Sequence, residues 1–212
     1  MRWKWIGLVV AGAIALVAAG GWVLESWLVA QQPSRGKALI ESDFSLVDHT
    51  GKPVTDEDFA GKWQLVFFGF TYCPDVCPTT LSDLSMVLEE LGNDADQVQP
   101  LFITVDPERD TTEVMAEYVA SFDPRIVGLT GSPEQIKRAA QAFRAYYAKV
   151  EQEGQADGYT MDHSAFLYLM NPEGEYATHF SVSDEPAAIV DEIQAYLEGE
   201  KTVAWSARRC SG

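Results

Sequence analysis

Cys73-Pro-Asp-Val-Cys77 puts two thiols four positions apart, directly after an apolar run and ahead of a helical pattern. If that helix begins early, residues four apart share a face and both sulfurs can point at one spot. Loops at the C-terminal ends of sheet strands are where α/β proteins bind ligands. The Pro-Asp and Pro-Thr dipeptides around the pair signal a loop rather than a stripe of core cysteines. A structural staple is not needed by a domain of this size. Redox and metal chemistry remain. Dithiol exchange is tuned best with two residues between the cysteines; three depart from that spacing without forbidding a disulfide. A soft metal suits two thiolates on a turn. Copper(I) favours sulfur and imidazole and accepts two or three ligands, whereas zinc wants four, or three with an open position, and no third cysteine is nearby.

A third ligand has to come from far along the chain, which contains 3 histidines. His163 follows a polar Gly158-Tyr-Thr-Met161 segment at the expected entrance of a strand, where an imidazole can be brought over the cysteines. Its neighbour Asp162 can orient the ring, as carboxylates do behind metal-bound histidines. His49 reads as a turn residue beside Asp48 and His179 as a structural residue near Phe180. The third cysteine, Cys210, lies in an Arg-containing tail.

The elements around these residues follow from periodicity. Residues 44–54 predict a short hairpin turning at Asp48–Lys52, with Gly51 taking positive φ, and residues 56–58 a single helical turn. The run Trp63–Phe70 reads as a strand buried on both faces. A helix over 78–91 follows, then a strand over 98–105 that ends at Asp106-Pro107. Thr111 or Thr112 caps a helix reaching Phe122, and 126–129 is a short strand. Ser132-Pro-Glu134 opens a helix that carries Ile136–Tyr147. Residues 149–160 are expected to be a polar loop, followed by a hairpin of 164–170 and 175–180, and a closing helix over 185–197. That order predicts an α/β fold with a mixed sheet between helices and an antiparallel finish, the thioredoxin-like arrangement. A flavodoxin-like sheet, parallel to its end, fits the tight Asn171–Gly174 turn less well.

Composition narrows the function. Lys+Arg 15 against Asp+Glu 32 gives a net charge of -17, which repels phosphate backbones and disfavours a nucleic-acid partner. Arg2 and Lys4 precede an uncharged run, Trp5–Leu24, which at helical rise reaches about 30 Å and is framed by tryptophans. We therefore expect residues 1–30 to be an uncleaved membrane anchor, 31–39 a tether, 40–199 the domain and 200–212 a frayed tail. The positive-inside bias places the domain on the outer side of the membrane, and no long Arg-rich transit segment precedes the anchor, which favours a bacterial inner membrane with a periplasmic domain.

The stretch Phe68-Gly-Phe-Thr-Tyr-Cys-Pro-Asp-Val-Cys-Pro-Thr-Thr-Leu-Ser-Asp-Leu84 closely resembles the SCO/SenC family of membrane-tethered copper proteins. So do Val105-Asp-Pro-Glu-Arg-Asp-Thr111, Gly128-Leu-Thr-Gly131 and the Asp162–Gly174 segment. The resemblance implies a thioredoxin-like fold and a copper ion, Cu(I), Cu(II) or both, held by Cys73, Cys77 and His163. It also implies a role in assembling the dinuclear copper centre of cytochrome c oxidase. The implied partners are the oxidase's copper-bearing subunit and other periplasmic copper or thiol carriers. Asp106, on the same rim as the cysteines, is expected behind the site or in contact with the recipient. The leading function is a non-enzymatic metallochaperone; a membrane-anchored thiol-disulfide reductase using Cys73 and Cys77, or a copper or redox sensor, are the alternatives. Cys210 matches no family ligand.

Overall fold

The structure, a computed structural model, describes residues 40–151 and 158–199. The expected anchor, tether, tail and Cys210 lie outside those residues. Among the described residues no helix is long and apolar enough to cross a membrane.

Strands β1 (Ser45–Asp48) and β2 (Pro53–Thr55) pair antiparallel around the expected turn. The Asp48 carboxylate accepts the Thr50 and Lys52 N–H groups at 2.8 and 3.0 Å, and Gly51 takes φ 88°. Strand β3 (Trp63–Gly69) is the centre of the molecule: Leu65 to Phe68 are each 0% exposed. It runs parallel to β4 (Val98–Thr104), which is parallel to β5 (Val127–Thr130). On its other side it pairs antiparallel with β8 (Phe166–Met170), itself antiparallel to β9 (Tyr176–Ser181). The seven strands lie in the order β2-β1-β5-β4-β3-β8-β9, the mixed sheet with an antiparallel finish that the element order predicts.

The helices are α1 (Val76–Glu90), α2 (Thr112–Val119), α3 (Pro133–Ala142) and α4 (Pro186–Leu197). Strand alternation assigns them to faces. Phe67 stacks on Phe102, and Tyr118 of α2 lies against Phe102; Trp63, two pairs of positions back on the same face, meets Tyr196 of α4. Helix α1 joins that layer, its Ser85 hydroxyl accepting the Asp123 N–H at 3.1 Å just past α2. Phe68 and Tyr168 point the other way, edge-on to Phe143 at the end of α3. The core is thus a buried sheet between two helical layers.

Four boundaries differ from expectation. Helix α2 ends at Val119 rather than Phe122. Helix α1 starts at Val76 rather than 78, which brings Cys77 into its first turn. Helix α3 stops at Ala142 rather than continuing to Tyr147, because Arg144 adopts φ 55° and breaks the right-handed path. The polar stretch read as a loop over 149–160 instead contributes to a second, two-stranded antiparallel sheet, β6 (Tyr147–Glu151) with β7 (Tyr159–His163). His163 therefore closes β7 rather than opening the next strand, which begins at Phe166.

Candidate metal centre

The apolar β3 run delivers the chain to the C-terminal edge of the sheet, where Thr71 to Asp75 form the loop into α1. Helix N-termini leave backbone donors without intrahelical partners. Asp75, at the N-cap, makes no side-chain cap bond. Cys73 Sγ accepts the Cys77 N–H instead, at 3.3 Å, so a sulfur takes the capping role. Both cysteines are free thiols; Cys73 is partly exposed and Cys77 is fully buried. Gly69 makes the burial of Cys77 feasible. A Cβ there would lie 2.8 Å from Cys77 Sγ and 2.8 Å from a Phe102 ring carbon, so a side chain at this strand end would push the sulfur out.

His163 arrives from the second sheet, 86 positions beyond Cys77 in sequence. Its ring sits edge-on to Phe67 and Phe70, with centroids 6.0 and 5.8 Å away. Nδ1 lies 3.0 Å from the Ser164 carbonyl, which only accepts. The proton is therefore on Nδ1, and the Nε2 lone pair points to Cys77 Sγ at 3.6 Å. The two sulfurs and one imidazole nitrogen all lie within 4.8 Å of one another, the one grouping of metal-ligating side chains among the described residues. Two soft donors and one borderline nitrogen, converging without a fourth protein ligand, suit a soft, low-coordinate ion.

The two thiols are held in unequal states. The hydrogen bond with Cys77 pulls the Cys73 thiol down to about 4 against the opposing cost of burial, with help from the Asp75 and Cys77 N–H groups. Cys77 is pushed up, first by its hydrogen bond with the ionised Cys73, then by burial and by the charges of Cys73 and Asp110. One thiolate shared with one thiol is the direction this geometry supports.

Neither carboxylate singled out from sequence acts at the ligands. Asp162 is exposed on β7 while the ring position it was expected to fill is taken by the Ser164 carbonyl. Successive residues of a strand face opposite ways, which is the reason. Asp106 is 3% exposed, too buried to meet a recipient protein, and its carboxylate accepts from Arg109 Nε and from the Tyr159 hydroxyl. His49 and His179 are elsewhere, His49 Nδ1 accepting the Gly128 N–H and His179 stacking near Tyr176.

The carboxylate nearest the cysteines in effect is Asp110, which sequence reading passed over inside its connector. It is 0% exposed and accepts from the Thr71 N–H (3.1 Å), the Thr71 hydroxyl (2.6 Å) and the Thr104 hydroxyl (2.5 Å). Its own carbonyl accepts the Thr130 hydroxyl at 2.7 Å. Asp110 thereby ties the loop that carries Cys73 to the ends of β4 and β5. The signal was available in Thr104 and Thr130, which end strands, and Thr71, just past one, but only the fold brings them together.

A mixed sheet with a cysteine pair entering a helix at its C-terminal edge, faced by a distal imidazole, defines a thioredoxin-like domain with a dithiol–imidazole site. The SCO1/SenC family model matches residues 32–198, and the chain belongs to that family. Mouse "Protein SCO2 homolog, mitochondrial" is 42% identical over 198 residues, covering 86% of this chain and 76% of the relative. The "Structure of Bradyrhizobium japonicum ScoI with copper bound" is 44% identical with a TM-score of 0.68, covering 74% of this chain and 99% of that one. The copper-bound ScoI of Arabidopsis thaliana is 40% identical with a TM-score of 0.71, covering 76% and 99%.

Proposed function

We propose that this protein is a copper carrier that holds the ion on Cys73, Cys77 and His163 and passes it to the copper-bearing subunit of cytochrome c oxidase. The observation that carries the reading is the convergence of those three donor atoms within 4.8 Å from segments 86 positions apart. Membership of a family with copper-bound relatives supplies the identity of the metal. Copper, when bound, is a soft acceptor that can be handed on by ligand exchange to a partner's thiols. The chain's own residues prepare the exchange. Cys73 is partly exposed and ionised, the donor a recipient meets first. Cys77, buried against Gly69, loses its proton on metal binding, as thiol ligands must. His163 offers its Nε2 lone pair with the tautomer fixed. The uncharged Trp5–Leu24 run behind Arg2 and Lys4 supports a site tethered at the outer face of a bacterial inner membrane; relatives named as mitochondrial are compatible with the same single-anchor topology.

The unequal pair favours a second reading, a thiol-disulfide reductase. Cys73 thiolate would attack a partner disulfide, Cys77 would resolve the mixed disulfide, and two electrons and the Cys77 proton would pass to the partner's cysteines.

Copper stoichiometry and affinity on the reduced full-length chain, with Cys73→Ser, Cys77→Ser and His163→Ala, separate the two. The carrier reading expects one copper on the wild type, loss of binding with either cysteine variant, and a weaker two-sulfur site with His163→Ala whose transfer is impaired more than its disulfide formation. Equal affinity and equal partner metallation for wild type and His163→Ala would remove His163 as a ligand and leave the reductase.

A further inference from the structure

The two arms of the site belong to different sheets. The sulfurs follow β3 of the seven-stranded sheet, and His163 ends β7 of the separate two-stranded one. At its base the hairpin is held by Ser164, whose N–H donates to the Tyr146 carbonyl and whose hydroxyl accepts the Tyr146 N–H, both at 2.9 Å. Among the described residues no strand ladder fastens its far end, where Tyr159 opens β7, to the main sheet. Something else must fix the imidazole's distance from the sulfurs.

Arg109 lies where that fastening is needed. Its guanidinium carbon is 3.9 Å from the centroid of Tyr159 and 4.7 Å from that of Tyr72, the residue before Cys73. It also stands 6.0 Å over Phe70, whose edge touches His163. Nη1 donates to the Tyr159 carbonyl at 3.3 Å, and Nε is held by the Asp106 carboxylate, which also accepts the Tyr159 hydroxyl at 3.0 Å. The pair is almost dry, at 9% and 3% exposure. A second cation repeats the pattern from the hairpin side: Lys149 of β6 sits 3.7 Å over the Tyr159 ring and pairs with Glu108 at 2.9 Å.

We propose that Arg109 is a positioning residue for the metal centre: a flat cation that clamps the cysteine loop, through Tyr72 and Phe70, to the histidine hairpin, through Tyr159. The inference rests on the copper-carrier reading for its consequence, but not for the clamp itself. Only a guanidinium meets the demand, because it can stack on rings while its fork donates in plane to a carboxylate and a carbonyl; an ammonium keeps the charge and loses the plane. The Asp106-Pro-Glu-Arg109 connector is then a strap between the two arms, which explains why Asp106 is buried under it rather than facing a partner.

The test uses the reduced full-length chain with Arg109→Gln, Arg109→Lys and Tyr159→Leu, beside His163→Ala. In metal-free protein, amide hydrogen exchange at residues 159–163 should accelerate about tenfold or more in all three clamp variants, with β3 and α1 unchanged. With copper(II) added, the nitrogen coupling in the electron paramagnetic resonance spectrum should weaken toward that of His163→Ala. Affinity should fall about 10–100-fold, as for other residues that orient a metal ligand. Arg109→Lys should not rescue either signal. Tyr159→Leu leaves the Arg109–Asp106 pair in place, so it answers the question even where loss of the Arg unfolds the chain. Wild-type exchange over 159–163 together with undiminished nitrogen coupling would overturn the clamp. If His163→Ala itself keeps the wild-type copper spectrum, the carrier reading fails, and the exchange measurement still decides the clamp.

Discussion

Cys73 differs from an ordinary thiol because of where its sulfur sits, between the Cys77 group and two helix-start N–H donors. With its pKa drawn down to about 4, the thiolate is present across the whole neutral range. Iodoacetamide labelling of the reduced, metal-free protein should therefore proceed at a nearly constant rate from about pH 9 to about pH 5 and fall below that, while Cys77 stays unlabelled. Mass spectrometry of the labelled cysteine reads this directly; two cysteines labelling in parallel, with a midpoint near an ordinary thiol, would contradict it. Asp110 is the opposite case. Burial lifts its pKa above 3.8 despite three hydrogen bonds that pull it down. Its folded form then binds a proton that the unfolded chain has already lost, so this residue's contribution to stability is present below pH 3.8 and is lost as pH rises through the folded value. Asp110→Asn removes that titration and leaves one of the donors from Thr71 and Thr104 without an acceptor, at a cost of about 1–3 kcal/mol. The difference between wild type and variant in urea unfolding should be largest near pH 4 and shrink toward pH 7. A difference that grew with pH would show that Asp110 is stabilised as an anion.

Strand β3 divides the molecule by simple alternation. Phe67 faces the layer that contains α1 and touches the His163 ring, while Phe68 faces Phe143 and Tyr168 on the far side. Phe67→Leu and Phe68→Leu each remove buried aromatic contact and should destabilise the domain by on the order of 1–2 kcal/mol. Only Phe67→Leu should alter the copper spectrum or the His163 ring resonances in nuclear magnetic resonance; an equal response to Phe68→Leu would mean that the site senses general core loosening. Elements such as β3 were legible from sequence because burial on both faces forces an unbroken apolar run. The cysteine pair and His163 were legible by residue type, and Ser132 caps α3 as expected, with Gln135, not singled out from sequence, completing the box. The β6–β7 hairpin was not, because Lys149, Val150 and Glu151 are exposed and leave no apolar alternation to read. The end of α3 was hidden for a related reason: Arg144 takes φ 55° where a glycine would have announced the stop. Asp162 and the docking role of Asp106 were misread, since sequence gives proximity along the chain, whereas burial and strand facing decide what a carboxylate meets; Asp106 does stand behind the site, through Arg109.

A net charge of -17 acts on the whole chain at a range no single contact reaches. It disfavours anionic surfaces and favours recipients whose docking face is basic, raising the rate of encounter more than the strength of the final complex. The immediate surroundings of the site are of another kind. Tyr72 precedes Cys73 and Val76 precedes Cys77, and the two are exposed at 49% and 40%. Apolar side chains of this kind give up their water only on contact and are not screened by salt as charges are. If the proposed carrier function holds, these features predict a two-part association with the protein that receives the copper. The rate constant should fall about tenfold between about 20 and 500 mM salt, since exposed charges are screened within a Debye length of about 10 Å at 0.1 M. Dissociation should change far less with salt and should speed up when Tyr72 or Val76 is replaced by Ser. Stopped-flow association with the reduced full-length chain separates these terms. A salt-independent association rate would mean that the charge serves solubility alone and that the apolar rim makes the encounter by itself.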